Sequence, residues 1–140
     1  MTFTVEKRDL LTVPQGYMLA HCISADYALG MGVAKQIDKA FGMREMLRKT
    51  CESPNPDGCC VVCANVFNLV TKEKYWQKPT LQSIHRALLQ MRAHSEMMGV
   101  RKIAMPRIGC GLDGRNWNTV SQMIQDVFSP TNIDILICEL

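Results

Sequence analysis

Phe3 and Val5 alternate with Thr2, Thr4 and Glu6 over residues 2–7, the period-two pattern of a strand with one solvated face. Residues 17–23 form a second strand, almost wholly apolar at its centre. Residues 29–41 change to a helical period that stops at Gly42, and a short helix follows to about Lys49. The cluster Ser53-Pro54-Asn55-Pro56-Asp57-Gly58 predicts a turn, and residues 59–71 read as one or two strands. Pro79 opens a long helix with Leu81, Ile84, Leu88 and Met91 on one face, and Gly99 ends it. Residues 102–105 are the next strand. Trp117, Val120, Ile124 and Val127 then recur at helical spacing, and residues 133–138 form the last strand.

Strands that alternate with helices predict a three-layer α/β/α domain around a largely parallel sheet. With no internal repeat, low-complexity segment or long linker, residues 1–140 read as one domain. Ligands in such domains sit at the carboxyl ends of the strands. Three loops fall there: residues 24–32, 71–78 and 106–113.

The length of 140 residues is enough for one real core, and 47% apolar content is ordinary for a globular chain. No apolar run approaches a membrane span, and the first seven residues are too polar for a signal peptide. The expectation is a cytoplasmic monomer, or a nuclear one in a eukaryote, with no membrane partner. A net charge of +3 allows an anionic small molecule without arguing for duplex nucleic acid. The seven cysteines read as reduced thiols. Cys60 and Cys63 have the spacing of a metal knuckle, but they fall in a strand, where side chains three apart face opposite ways. No metal or cofactor is expected.

The most informative stretch is Met105-Pro106-Arg107-Ile108-Gly109-Cys110-Gly111-Leu112-Asp113. A strand that ends in a glycine-bearing loop and feeds a helix is how α/β proteins hold phosphate, with backbone N–H groups and the helix dipole aimed at one anion. A carboxylate repels such a ligand, so Asp113 is a candidate for acid–base work. Gly30-Met31-Gly32-Val33-Ala34, also leading into a helix, is a second phosphate candidate. By itself that motif serves equally as a tight turn. Together the two loops suit a pyrophosphate.

Lys72 follows the apolar strand Val66-Phe67-Asn68-Leu69-Val70 at this edge. A partly desolvated lysine loses its proton readily and can attack a sugar C1. Pairing with a phosphate is the competing role. Lys74 and Lys78 read as solvated charges, His85 and His94 as surface or boundary residues, and His21, inside a strand, as a hydrogen-bonded structural histidine. Trp76 reads as an exposed aromatic near the Lys72 loop, and Trp117 as core. No Ser–His–Asp spacing and no Gly-Lys-Ser/Thr loop is present.

In order along the chain stand Ala20-His21-Cys22-Ile23-Ser24, Gly30-Met31-Gly32-Val33-Ala34, Val70-Thr71-Lys72, Lys78-Pro79-Thr80 and the 105–113 block. On these residues the chain resembles a macrodomain of the terminal ADP-ribose protein glycohydrolase type, also described as O-acetyl-ADP-ribose deacetylase, over residues 9–140. The resemblance implies an ADP-ribose cleft above a mixed six-stranded sheet. It implies that Asp9 and Leu10 hold the adenine with Leu140 beside it, and that Ser24 lies near the distal ribose. Gly30 to Ala34 (Gly30, Met31, Gly32, Val33, Ala34) and Ile108, Gly109, Cys110 and Gly111 would cradle the diphosphate. His21, Pro106, Arg107 and Leu112 join them as substrate-binding positions. Lys72 and Asp113 match the two catalytic residues.

Many macrodomains carry asparagine in the segment matching residues 20–24, where it helps activate water. Its absence here fits a lysine-dependent branch. Residues 73–77 match that branch poorly. The implied reaction removes ADP-ribose from glutamate or aspartate, or deacylates O-acetyl-ADP-ribose, through a covalent lysyl intermediate. The implied partners are ADP-ribose and ADP-ribosylated protein. Three alternatives stand beside it: a non-catalytic ADP-ribose reader, a hydrolase acting on ADP-ribosylated DNA or RNA, and a phosphatase acting on ADP-ribose 1″-phosphate.

Overall fold

The computed structural model describes residues 1–140, apart from the side chain of Leu112. Among the described residues there are six strands and four α-helices: β1 (Phe3–Lys7), β2 (Met18–Ser24), α1 (Gly32–Phe41), α2 (Met43–Thr50), β3 (Cys59–Cys63), β4 (Val66–Lys72), α3 (Leu81–Met98), β5 (Lys102–Met105), α4 (Trp117–Phe128) and β6 (Asp134–Glu139). They form one sheet in the order β1-β6-β5-β2-β4-β3. All neighbours are parallel except β3 and β4, an antiparallel hairpin. The sheet is therefore mixed, and the parallel majority leaves five carboxyl ends on one edge.

Helices cover both faces. Ile84, Leu88, Met91, Val120 and Ile124 from α3 and α4 pack on Ala20, Phe67, Leu69, Ile103 and Ile135. Ile37, Met43 and Leu47 from α1 and α2 pack on Leu19, Ile23, Val66, Val70 and Leu136. Strands buried on both faces carry near-continuous apolar runs, which explains the composition of β4 and β6. Cys60 belongs to the first of these layers and Cys63 to the second, so the Cys-x-x-Cys pair is split across the sheet.

Two boundaries differ from the pattern. The helical period from residue 29 begins as helix only at Gly32, because Leu29 has φ 42° and Tyr27 φ 53°. The apolar stretch 59–71 breaks at Ala64, which turns with φ 51° and no glycine or proline to mark it.

The amino end of α3 is fixed to the working edge. Ser83 Oγ donates to the Thr71 carbonyl at 2.6 Å, and Gly58, at φ 124°, lies against the same turn. A Cβ at Gly58 would stand 2.5 Å from the Ser83 carbonyl oxygen. Gly58→Ala should lower stability by about 1–3 kcal/mol, the usual cost of overpacking. Urea unfolding measures this, and an unchanged midpoint would contradict the close approach.

Candidate functional site

A cavity of about 780 Å³ opens where β2, β4 and β5 end. Its wall takes in Lys72 and Asp113, residues 21–24 and 28–34, Tyr75, Trp76, Gln77 and residues 106–110.

Lys72 is the last residue of β4. The register between β2 and β4 slips at Ile23 and Ser24, so that Ser24 stands beside Lys72. Such an irregularity re-aims side chains at a strand end. Lys72 Nζ lies 2.5 Å from Asp113 Oδ1, and the two side chains are only 13% and 15% exposed. The chain reaches Asp113 through the turn Gly111–Asp113 after β5. That turn is set by a close approach at Gly109, which has φ 72° and room for a Cβ only 2.9 Å from Ile84 Cδ1. A charge-assisted contact in this setting is strong, and it also gives the lysine proton a ready acceptor.

The helix that opens onto the cavity is α1. Its N-cap, Met31, makes no side-chain bond to the first turn, and Met31, Gly32, Val33 and Ala34 line the wall. First-turn N–H groups without partners are an anion site. The sequence offered this helix and also the one after Asp113. That helix, α4, starts three residues beyond Gly114, and Asn116 Oδ1 caps it by accepting from Thr119 N. Within the 106–113 loop, Ile108 N and Cys110 N bond to the Pro106 and Arg107 carbonyls. The loop is therefore a rigid wall, while α1 supplies the free dipole.

The backbone before α1 is held in place. Arg44 Nε donates to the Tyr27 carbonyl at 3.1 Å, its terminal nitrogen donates to the Ala28 carbonyl, and Tyr27 Oη donates to the Cys51 carbonyl at 2.6 Å. These contacts offset the left-handed Tyr27 and Leu29.

A search with family models matches residues 20–124 to the Macro domain. This chain belongs to the macro domain family. It is similar to human "ADP-ribose glycohydrolase OARD1", with 38% identity over 138 residues, covering 98% of this chain and 91% of the human one. A "DNA ADP-ribosyl glycohydrolase" of Thermus aquaticus is 28% identical over 119 residues, 77% of this chain and 33% of that protein. The macrodomain of Mycobacterium tuberculosis DarG superposes with TM-score 0.89 over 99% of this chain and 98% of that one, at 20% identity, a likeness of fold.

In this macro domain the sequence candidates fall into two groups. His21, Ser24, Gly30 to Ala34, Lys72, Pro106 to Cys110 and Asp113 meet at the cavity. Asp9, Leu10 and Leu140 stand on the same sheet edge, after β1 and β6, outside the cavity wall. There Asp9 Oδ1 accepts from Leu11 N at 2.9 Å, Leu10 is buried in the α1/α2 layer, and Leu140 is exposed. Gly111 lies in the turn that carries Asp113, also outside the wall, and the side chain of Leu112 lies outside the described residues. Arg107 pairs with Glu139 at the end of β6 and stacks over Trp117 at 5.5 Å. It therefore fastens the loop to the sheet.

Tyr75 and Gln77 at the rim, and Asp26 behind it, are additions that sequence reading missed. Cys22 lies in the cavity wall, and burial, reinforced by the Asp113 charge, pushes its thiol up to about 12, so it is neutral at physiological pH. Burial also raises the Cys110 thiol.

His21 Nε2 lies 2.6 Å from Asn68 Oδ1. The Asn68 amide donates to the Val61 carbonyl, which leaves its oxygen as acceptor and places the imidazole hydrogen on Nε2. Burial lowers the His21 pKa from 6.5 to about 4, and the Asn68 bond only partly opposes it. The unfolded chain thus binds more protons than the folded one across that window, so stability falls as pH drops from about 6.5 toward about 4. At pH 5 the loss should be on the order of 2 kcal/mol. Urea unfolding at pH 7 and pH 5 measures it. His21→Gln should show a clearly smaller difference, and equal losses in both proteins would remove His21 as the cause.

Proposed function

We propose that this macro domain is an ADP-ribosyl hydrolase that releases ADP-ribose from glutamate or aspartate side chains and deacylates O-acetyl-ADP-ribose. The observation that carries this reading is the Lys72–Asp113 contact at 2.5 Å in the wall of a cavity with an open helix amino end. The relatives named as ADP-ribose glycohydrolases support it.

The diphosphate binds at the amino end of α1, where the dipole favours negative charge. The distal sugar then reaches Lys72. Asp113 takes the ammonium proton, and the neutral amine attacks C1 of the sugar. A bond forms from Nζ to C1, the bond from C1 to the acceptor oxygen breaks, and the acceptor leaves as a carboxylate. Asp113 gives that proton up to solvent, takes one from the water that adds at C1 as the C1–Nζ bond breaks, and passes it to the freed amine. ADP-ribose and free Lys72 are regenerated. Covalent catalysis divides one hard displacement into two easier ones.

The same chemistry selects the linkage. A carboxylate departs without help from an acid, and acetate on O1 is the same leaving group as a glutamate side chain. An amide or alkyl ether acceptor needs a proton as it leaves. The acid available here sits on the side of the attacking amine.

The exposed rim supports a second acceptor class. Tyr75 and Trp76 are 60% and 70% exposed and line the cavity mouth, with Lys74 and Lys78 beside them in sequence. Aromatic rings flanked by cations can stack a base of single-stranded nucleic acid. Release rates from matched ADP-ribosylated protein and DNA decide between the two acceptors.

Lys72→Ala and Asp113→Ala should each slow release from glutamate-linked ADP-ribose by about 10²–10⁴, the usual worth of the lost group. Binding of free ADP-ribose should change little in the aspartate variant. In Asp113→Ala bulk water can still take the Lys72 proton, but no base activates the water that resolves the adduct, so mass spectrometry after incubation with substrate should show an added mass on Lys72. Full activity in both variants would overturn the mechanism.

A further inference from the structure

We propose that Asp26 is a positioning residue that fixes the sugar-facing wall of the cleft, by holding the Ser24 hydroxyl and the Tyr75–Trp76 rim at the same time. This rests on the proposed binding of an ADP-ribosyl group.

Asp26 follows the carboxyl end of β2. Its Oδ1 accepts from Ser24 Oγ at 2.5 Å and from Ala28 N at 3.2 Å. Its Oδ2 accepts from Tyr75 N at 3.2 Å, across 49 positions of sequence. The backbone adds two further ties between the same loops: Ala25 N to the Lys72 carbonyl at 2.8 Å and Asp26 N to the Glu73 carbonyl at 3.1 Å. Asp26 is absent from the cavity wall among the described residues, so it acts through its neighbours. Burial would raise the carboxyl pKa, but the bonds from Ser24, Tyr75 and Ala28 and the Lys74 charge outweigh it and hold the group below the ordinary carboxylate range.

The consequence for the ligand follows from proton counting. Ser24 has one hydroxyl hydrogen, and Asp26 takes it. The oxygen that Ser24 presents to the cavity can then only accept. It suits a donor such as a sugar hydroxyl. A phosphate oxygen has no hydrogen to give and would also face the Asp26 charge. The cleft is thereby polarised along its length: free N–H donors of α1 at the diphosphate end, a hydroxyl acceptor at the sugar end beside Lys72. Asp26 sets the second pole, and through Tyr75 N it sets the height of the rim that covers it.

The test is a double-mutant cycle on Ser24 and Asp26. Isothermal titration with free ADP-ribose should give a Kd about tenfold weaker for Asp26→Asn, the size expected for loss of one charge-assisted hydrogen bond. Ser24→Ala should weaken binding by a similar factor. The double variant should be no worse than either single one, because the two residues act as a unit. In turnover, Asp26→Asn should raise KM and leave kcat within about twofold, the mark of binding lost equally from ground and transition states.

The melting temperatures of the singles and of wild type separate this from simple loss of folded protein. Asp26→Glu keeps the charge but displaces its oxygens, and serves if Asp26→Asn does not fold; the same weakening and the same collapse of the Ser24→Ala effect are expected. An unchanged Kd, independent losses that multiply, or a fall in kcat at constant KM overturns the assignment. Wild-type protein that binds ADP-ribose without releasing it from substrate overturns the catalytic reading alone. Wild-type protein that binds no ADP-ribose overturns both.

Discussion

A lysine and an aspartate meeting at 2.5 Å with little solvent around them constrain everything nearby. Each charge loses hydration there, and the pair is tolerable only if its geometry is held. The two residues come from different strands, one ending β4 and the other in the loop after β5, with β2 between them in the sheet. Holding them requires the slipped register that puts Ser24 beside Lys72, the Ser83 bond behind Thr71, and the tight passage at Gly109 against Ile84. Both faces of the sheet contribute, since Ile84 belongs to the α3/α4 layer while α1, on the other face, turns its uncapped amino end to the cavity.

Under the proposed reading the cleft sorts its ligand by hydrogen-bond character as much as by charge. At one end stands the amino end of α1, whose N-cap side chain makes no bond to it. At the other stand an ammonium–carboxylate pair and a serine oxygen whose hydrogen points away. A nucleotide sugar has the opposite arrangement, acceptors on the diphosphate and donors on the ribose. On that reading the orientation of the ligand is built into the backbone of α1 and the Ser24–Asp26 pair before any side chain moves.

Much of this was legible in the chain. Period-two and helical patterns place the elements, and alternation of strand with helix implies a sheet edge where Lys72 and Asp113 both fall. Gly42 and Gly99, each left-handed, end helices where the pattern expects. The β3–β4 hairpin was only half visible, because Ala64 turns without a glycine or proline. The sequence offers both glycine loops before helices and does not rank them, because the capping of α4 depends on where Asn116 stands, three residues past Asp113 in an irregular loop. Asp26 carried no signal at all: its partners are a neighbouring hydroxyl and a backbone amide 49 positions on, and only the β2–β4 pairing brings them together. Trp76 and Trp117, by contrast, stand as their surroundings in sequence suggest, one exposed at the rim and the other packed on the core beneath Arg107.

Cys22 bears on which nucleophile the cavity can offer. Sulfur is the better nucleophile toward an electrophilic sugar carbon, but only as thiolate. Burial and the nearby Asp113 keep the Cys22 thiol protonated, while the Lys72 nitrogen stands 2.5 Å from the same carboxylate. A thioglycoside would resist water and leave the protein as a dead-end conjugate. Under the proposed mechanism the carboxylate that takes the lysine proton also helps keep sulfur neutral, so attack on the sugar would fall to nitrogen, whose bond to that carbon water can undo.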